Sequence, residues 1–374
     1  MGLGTEWLVQ ASAAEATALV HSTHRSAERH DDLVRRLDRI EAISKHIAGV
    51  GFASTARTLT FHLADGRPYS LQVTKADQDP YRTQVTTNGG QEAEWRLCLN
   101  WLRAGERFFD LGANIGVFSI PAAVLGVEVH AFELLAENVD LIHASARLNR
   151  LDTLRVVLGA VWHSAGAVGI GGHSAWGTVQ GGARTMIAAL RIDDYVTQHS
   201  IPRVDMLKLD VEGAERAALT GATQLIKRDH PDILFEANTW TCGVSEYSYY
   251  ALLRILRAFG YRLFRVGSDV IHPWSDSDVQ EVVLTNYLAT TRSDEEIVKR
   301  CGWPIRALTV QEQIASILGE HQFGDAHKMH LLAIRDQLPH EVREAADVVY
   351  LLNSWSSLLV SPSMPTARMG VALE

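Results

Sequence analysis

The chain has 374 residues, of which 47% are hydrophobic and 21% charged, and its net charge is −9 at pH 7. This composition is that of an ordinary globular protein and excludes a disordered, collagenous or purely coiled-coil chain. The mild acidity argues against a nucleic-acid partner bound through phosphate neutralisation.

Signals for export, membrane insertion and disulfide formation are weak. No run of eighteen apolar residues predicts a membrane span, and the first six residues lack the basic and apolar regions of a signal peptide. The three cysteines lie far apart in the sequence and form no C-x-x-C pair. We therefore expect a cytoplasmic protein with reduced thiols and no membrane span.

The N-terminal segment, residues 1–48, is predicted to be helical because residues 5–48 contain neither proline nor glycine. Two interpretations of its apolar seam stay open, since two heptads are too few to define a coiled coil. The segment either packs on its own domain or forms a homodimerisation arm. The seam consists of Leu33, Leu37, Ile40 and Ile47.

A hairpin and cap region, residues 49–90, is predicted next. Residues 58–63 and 69–73 alternate polar and apolar side chains, and Asp65-Gly66 supplies a turn between them. Residues 91–104 then have the pattern of a helix.

Residues 91–290 are predicted to be one α/β domain, because short apolar strands alternate with helices over residues 107–290. Seven strands are expected, mostly parallel, with helices on both faces and the last two strands antiparallel. The predicted strands are 107–111, 127–132, 154–158, 204–209, 232–236, 261–266 and 281–288, and the helices 115–125, 137–149, 213–228 and 247–259.

A helical extension, residues 291–374, is predicted after this domain, with Pro304 and Pro339 as breaks. His321, His327 and His330 have the spacing of a helix face. A solvated helix explains them better than a metal site, since no supporting carboxylates are evident.

The strongest motif lies at residues 110–116, Asp-Leu-Gly-Ala-Asn-Ile-Gly, where an apolar strand turns into a helix. Gly112 allows a tight turn, Gly116 allows close packing of strand and helix, and the first backbone N–H groups are expected to face a ligand. The motif lacks the third glycine of a dinucleotide fingerprint, which disfavours a nicotinamide or nucleotide-sugar enzyme.

An acid also ends the second predicted strand, at Glu133. A carboxylate there can accept hydrogen bonds from both hydroxyls of a ribose. Two acids, Asp110 and Glu133, suit a cationic ligand better than a pyrophosphate, which favours S-adenosylmethionine over a nicotinamide dinucleotide.

Two further strands end in acids at Asp210 and Glu236, and Lys208 lies within the first of these strands. Because ligands of open α/β sheets bind beyond the carboxyl ends of the strands, we expect all four acids at one rim. Asp210 and Glu236 are candidates for activating an acceptor hydroxyl, as a base or as ligands of a divalent metal. Lys208 would orient Asp210 or neutralise the rim.

Residues 166–182 are rich in glycine and contain His173, a weaker catalytic candidate, in a segment able to contact a sugar or to form a bland hairpin loop. Trp240, Tyr247 and Tyr249 are expected either in an acceptor pocket or in the core.

These motifs resemble the FkbM family of S-adenosylmethionine-dependent methyltransferases over residues 105–290. The resemblance rests on residues 110–116, 131–133, 191–195, 208–215, 221–222 and 234–236. The family usually has proline after the ribose-binding acid, where this chain has Leu134. The first 90 and last 85 residues lie outside the resemblance.

The resemblance implies a class I, Rossmann-like fold and a bacterial-type O-methyltransferase acting on a sugar, a glycolipid or another glycan, or a secondary metabolite such as a polyketide. The cosubstrate would be S-adenosylmethionine, the product S-adenosylhomocysteine, and a metal requirement is left open. The alternative is a catalytically weak, cofactor-binding assembly protein. The predicted cofactor-binding residues are Asp110, Gly112, Ala113, Asn114, Gly116, Glu133, Leu134 and Ala160.

Overall fold

A computed structural model describes residues 56–74, 92–171, 178–179, 185–238, 241–242, 245, 247, 249–274, 284–318, 332 and 335–355. The heptad seam, His173, Trp240 and the three histidines at 321–330 lie outside these residues, and so does the side chain of Tyr249. No helix among the described residues is long and apolar enough to cross a bilayer. All three cysteines are buried, and no disulfide bond joins them.

The described strands are β1 (Ala56–His62), β2 (Pro68–Thr74), β3 (Arg107–Leu111), β4 (Glu128–Glu133), β5 (Leu154–Leu158), β6 (Ala160–Val161), β7 (Gly166–Gly171), β8 (Thr178–Val179), β9 (Thr185–Leu190), β10 (Met206–Leu209), β11 (Asp232–Asn238), β12 (Arg262–Gly267), β13 (Val270–Pro273) and β14 (Leu284–Thr290).

The described α-helices are α1 (Ala93–Trp101), α2 (Ser119–Val124), α3 (Ala136–Asn149), α4 (Ile192–Gln198), α5 (Glu215–Gly221), α6 (Thr223–Asp229), α7 (Tyr249–Ala258), α8 (Asp294–Cys301), α9 (Val310–Leu318), α10 (His340–Arg343) and α11 (Ala346–Trp355), and a 3₁₀ turn spans Arg335–Gln337. The chain divides into two compact units, the first of residues 1–90, 102–205 and 217–229 and the second of the remainder.

The first unit contains the parallel strands β3, β4 and β5, in the order β3-β4-β5. Phe108 and Phe109 of β3 are fully buried, as expected for a strand covered on both faces. The predicted hairpin is confirmed: β1 pairs antiparallel with β2, and Gly66 has a φ of 85° in its turn. The edge of β2 is held on α3, because the N–H groups of Ser70 and Gln72 donate to Asn149 and Ser145.

A second small sheet of the first unit, in the order β6-β9-β7-β8, was not predicted. Strands β7 and β8 lie in the glycine-rich segment 166–182, for which the sequence left a loop or a hairpin open, and β6 and β9 flank this segment. Glycine weakens the strand signal because it adds no side chain to the alternating pattern, so the sequence shows these strands poorly.

The second unit contains β10 and β11, which are parallel, and β14, β12 and β13, which continue antiparallel in that order. One of these five strands, β13, was not predicted, and it forms a hairpin with β12. The predicted helix 213–228 is two helices, α5 and α6. The helical extension has its own small core of Leu338, Val342, Val348 and Leu352.

Candidate functional site

The predicted glycine turn follows β3 in the first unit. Gly112, Asn114 and Gly116 have φ values of 86°, 52° and 86°, a backbone conformation that glycine adopts without strain. A Cβ at Gly116 would lie 3.1 Å from a side-chain carbon of Ile120 and 3.3 Å from one of Ile142. Gly116 therefore allows the close packing that the sequence predicted.

The backbone donors of this turn are used inside the protein. The N–H groups of Gly112 and Ala113 both donate to the carbonyl oxygen of Phe132, at 3.0 and 2.9 Å. The N–H of Asn114 donates to Oε2 of Glu133 at 2.8 Å. The expectation that the first backbone N–H groups face a ligand was wrong for these three groups, because acceptors within the protein take them. The helix that follows the turn, α2, starts at Ser119, four residues later than predicted.

Glu133 is fixed between two loops at the end of β4. Besides the Asn114 N–H, its carboxylate accepts the N–H of Leu135 at 2.8 Å and Nδ2 of Asn138 at 3.3 Å. Its side chain is almost fully buried, and this burial raises its pKa to about 7 although the hydrogen bonds oppose the shift. Glu133 is thus a rigidly held acceptor that changes charge near neutral pH.

The other predicted cofactor residues differ in exposure. Asp110 is completely buried, and the Ser119 hydroxyl donates to its Oδ2 at 2.6 Å. Leu134 is half-buried just before α3, and Ala160 is buried in β6. The Gly159 N–H donates to the carbonyl oxygen of Glu133 at 2.9 Å, so the chain before Ala160 is tied to the end of β4.

Two of the motifs behind the family resemblance stabilise the fold of the first unit. The buried Asp193 side chain accepts the N–H groups of Gln224 and Leu225 at 3.0 and 2.9 Å, and Arg191 donates to it at 2.8 Å. Asp193 thereby supplies acceptors for the first N–H groups of α6. A Cβ at Gly221 would lie only 2.2 Å from the carbonyl oxygen of Trp162, so only glycine fits this position.

Four acids of the second unit lie on or just after β10 and β11: Asp210, Glu212 and Glu215 follow β10, and Glu236 lies within β11, two residues before its end. The buried Lys208 ammonium donates to Oδ2 of Asp210 at 2.9 Å, and about a third of the Asp210 side chain stays exposed. Asn238 donates to Oε1 of the half-buried Glu236 at 3.3 Å. Glu212 and Glu215 lie close enough for their charges to affect the carboxyl group of Glu236.

Burial and the repulsion between neighbouring carboxylates raise the pKa values of Glu212 and Glu236. The pKa of Glu236 lies well above its usual range because of burial and the charges of Asp210, Glu212 and Glu215, with Lys208 opposing the shift. Burial and Asp210 raise the pKa of Glu212 to about 8. Carboxyl groups with raised pKa values are common in sites that move protons.

Two further residues of the second unit were not predicted from the sequence. Glu94, in α1, has a pKa raised to about 8 by burial and by a hydrogen bond to Glu92, while the Lys208 charge opposes the shift. Glu215 is buried and accepts the Tyr247 hydroxyl at 2.6 Å. The sequence does not indicate the contact between Tyr247 and Glu215, because the two residues are 32 positions apart.

The structure thus contains two clusters of predicted residues, one around Glu133 in the first unit and one around Asp210 in the second. Within the described part of the chain, no group of three or more His, Cys, Asp or Glu side chains could hold a metal ion.

Residues 110–263 match the model of the methyltransferase FkbM domain, which confirms the resemblance to this family over that part of the chain. The described strands and helices confirm the predicted α/β class. No curated protein matches the sequence.

Solved structures with partial similarity include the methyltransferase FkbM from Methylobacillus flagellatus, at 19% identity and a TM-score of 0.34, covering 49% of this chain and 43% of that one. A 16S rRNA N2 G1207 methyltransferase from T. thermophilus, solved with AdoMet and guanosine, has 16% identity and a TM-score of 0.37, covering 64% and 51%. The chain therefore spans about half the length of these two structures.

A third structure, a TehB-like SAM-dependent methyltransferase from Corynebacterium glutamicum, has 15% identity and a TM-score of 0.36, covering 57% of this chain and 94% of that one. Similarities at this level carry no conclusion about the substrate, which has to be inferred from the residues of this chain.

Proposed function

We propose that this protein transfers the methyl group of S-adenosylmethionine to a hydroxyl of a sugar, a glycolipid or other glycan, or a secondary metabolite. The observation that carries the proposal is the turn at residues 112–116, hydrogen-bonded to the end of β4 beside a fixed Glu133 carboxylate, within a methyltransferase FkbM domain.

The side chains at this turn fit S-adenosylmethionine as hydrogen-bond acceptors. Glu133 has carboxylate oxygens for ribose hydroxyls, and Oδ1 of Asn114 is shielded from solvent without a hydrogen-bond partner among the described residues. Ribose hydroxyls and an ammonium group are donors that would complete these acceptors. When bound, S-adenosylmethionine supplies a methyl carbon made electrophilic by a sulfonium, whose positive charge suits an acidic surrounding.

The acceptor hydroxyl must lose a proton as its oxygen attacks the methyl carbon. We propose that Asp210 accepts this proton as a general base, since it is partly exposed and Lys208 orients its carboxylate. Glu236, held by Asn238, and His173 are further candidates, the latter outside the described residues. A divalent ion at Asp210 and Glu236 is the alternative way to acidify the hydroxyl.

The proposal is tested by incubating the purified protein and S-adenosylmethionine carrying a tritiated methyl group with separate polysaccharide, glycolipid and polyketide fractions, followed by mass spectrometry of the labelled product. We expect a mass gain of one methylene equivalent on an oxygen. Cofactor binding without transfer to any fraction would favour the assembly-protein alternative, and transfer to RNA or protein would contradict the substrate class.

We expect that replacing Glu133 by glutamine weakens binding of S-adenosylhomocysteine by about 1.5–3 kcal/mol, the range for hydrogen bonds to a charged group. Because the pKa of Glu133 is raised to about 7, the ionised acceptor is scarce at pH 6. Wild-type affinity should thus rise roughly tenfold from pH 6 to pH 8, and calorimetry should find no such rise in the variant.

The exposed Glu137, in the first turn of α3, provides the matched control. Its Glu137→Gln variant should keep both affinity and pH dependence.

The raised pKa of Glu133 also means that the folded state binds more protons than the unfolded state between about pH 4.5 and 7. Its contribution to stability is therefore lost as the pH rises through this window, which thermal unfolding would show. If Glu133→Gln bound S-adenosylhomocysteine as tightly as the wild type, Glu133 would not be the residue that binds the ribose.

We further propose a homodimer or higher homo-oligomer that involves residues 29–48, on the evidence of the seam from Leu33 to Ile47. Light scattering should show a smaller oligomer when residues 1–48 are deleted. A truncated protein with the full-length oligomeric state would refute this expectation.

A further inference from the structure

The loop after β10, which carries Asp210 and Glu212, is held by a single buried side chain. Glu215 accepts the N–H groups of Val211 and Gly213 through Oε1, at 3.2 and 3.1 Å, and the Tyr247 hydroxyl through Oε2, at 2.6 Å. Glu215 is 3% exposed. One carboxylate thus joins the Asp210 loop to a residue far away in the sequence.

This loop depends on such support because its own backbone is unusual. Glu212 and Gly213 have successive φ values of 51° and 97°, and a left-handed conformation is unfavourable for a residue such as glutamate. Gly213 lies directly against the chain that leads to Tyr247: a Cβ there would be 2.5 Å from Oγ of Ser245 and 2.8 Å from the carbonyl oxygen of Thr241.

The same chain segment is also linked, through Asn238, to the second candidate acid, Glu236. Asn238, at the end of β11, accepts the N–H of Thr241 at 3.3 Å through its side-chain oxygen and donates to Glu236 at 3.3 Å through Nδ2. The N–H of Tyr247 in turn donates to the carbonyl oxygen of Cys242 at 3.1 Å. Hydrogen bonds of Thr241 and Tyr247 therefore lead to Glu236 and to the Asp210 loop, respectively.

We propose that Tyr247 is a positioning residue for methyl transfer: by donating to Glu215, it holds the Asp210 loop in the geometry in which Asp210 meets the acceptor hydroxyl. This inference rests on the proposed function. Burial and the neighbouring carboxylate raise the pKa of the Tyr247 hydroxyl, so Tyr247 stays a donor at all working pH values. Of the two positions that the sequence left open for Tyr247, the acceptor pocket or the core, the hydrogen bond of its hydroxyl to Glu215 favours the packed position.

Removing the hydroxyl in Tyr247→Phe keeps the ring but leaves Oε2 of Glu215 without this donor. The buried carboxylate then favours its protonated form, and a protonated group holds the N–H groups of Val211 and Gly213 less well. We expect turnover to fall roughly 10- to 100-fold, the scale for a displaced catalytic group, while the affinity for S-adenosylhomocysteine stays unchanged.

Tyr261→Phe is the matched control, because this buried tyrosine of the same unit also donates one hydrogen bond, to the carbonyl oxygen of Pro231 at 2.8 Å. Both variants should lose thermal stability, but only Tyr247→Phe should lose turnover in the tritiated-methyl assay with the acceptor fraction that the wild type labels. Glu215→Gln, which keeps an oxygen for the two N–H groups, should retain more turnover than Glu215→Ala.

Hydrogen exchange separates this inference from the proposed function, since it needs no acceptor. The amides of residues 211–213 should exchange at least several-fold faster in Tyr247→Phe than in the wild type and in Tyr261→Phe. Unchanged exchange, equal turnover losses in the two tyrosine variants, or a parallel loss of S-adenosylhomocysteine affinity would each overturn the positioning role. Faster exchange in a protein that methylates nothing would instead retain the structural link and reject the methyl-transfer function.

Discussion

Replacing Asp210 by asparagine is expected to lower turnover on the order of 10²-fold or more, with little change in cofactor affinity, as for the loss of a general base. Asparagine keeps the size of the side chain and can still accept a hydrogen bond from Lys208, but it cannot take a proton from a hydroxyl. Turnover is measured with the tritiated-methyl assay, and affinity by calorimetry with S-adenosylhomocysteine.

The structure weakens the purely structural explanation of Asp210. An aspartate just before a helix often caps it, a role that contributes about 1 kcal/mol to stability. Here the N–H groups of Val211 and Gly213 are accepted by Glu215, and α5 begins only at Glu215. Asp210 instead pairs with Lys208 and keeps part of its surface exposed.

Asp294→Asn provides a control for the loss of an aspartate from an ion pair, since Asp294 pairs with Arg262 on the surface of the same unit. This variant should turn over like the wild type. An EDTA titration of the wild type then distinguishes a base from a metal ligand, because only a metal-dependent reaction is inhibited. If Asp210→Asn kept most of its turnover on the acceptor that the wild type methylates, the catalytic assignment would be refuted.

The second large effect is expected from Gly112→Val, which should abolish measurable S-adenosylmethionine binding. Gly112 has a φ of 86° and donates its N–H to Phe132 beside the Ala113 N–H. A β-branched residue is strongly disfavoured in this conformation. The turn must therefore rearrange, and we expect the added side chain to block the approach of the ligand to the turn at residues 112–116.

Gly105→Val is the control that distinguishes general backbone strain from damage to the turn at residues 112–116. Gly105 belongs to the same unit and has a φ of 84°, but no atom lies within 4 Å of a Cβ built there. Both variants should lose a similar amount of thermal stability, whereas only Gly112→Val should lose binding in calorimetry. Unchanged affinity in a folded Gly112→Val protein would show that the turn at residues 112–116 does not bind the cofactor.

Sequence periodicity and turn chemistry determined much of this protein. The alternation around Asp65-Gly66 predicted the β1–β2 hairpin, and the spacing of strands and helices predicted the α/β class. Acids at strand ends identified Glu133, Asp210 and Glu236 as candidate site residues. These features follow from local preferences or from rules for parallel sheets, so a single sequence contains enough information to predict them.

Only the tertiary structure decided which partners these residues have. In the folded chain, the N–H groups of residues 112–114 donate to acceptors within the protein. Tyr247 donates to Glu215, which lies 32 residues earlier in the sequence. The tertiary structure also raised the pKa of Glu133 to about 7. Burial and contacts between distant residues depend on how the whole chain packs, and no local pattern records them.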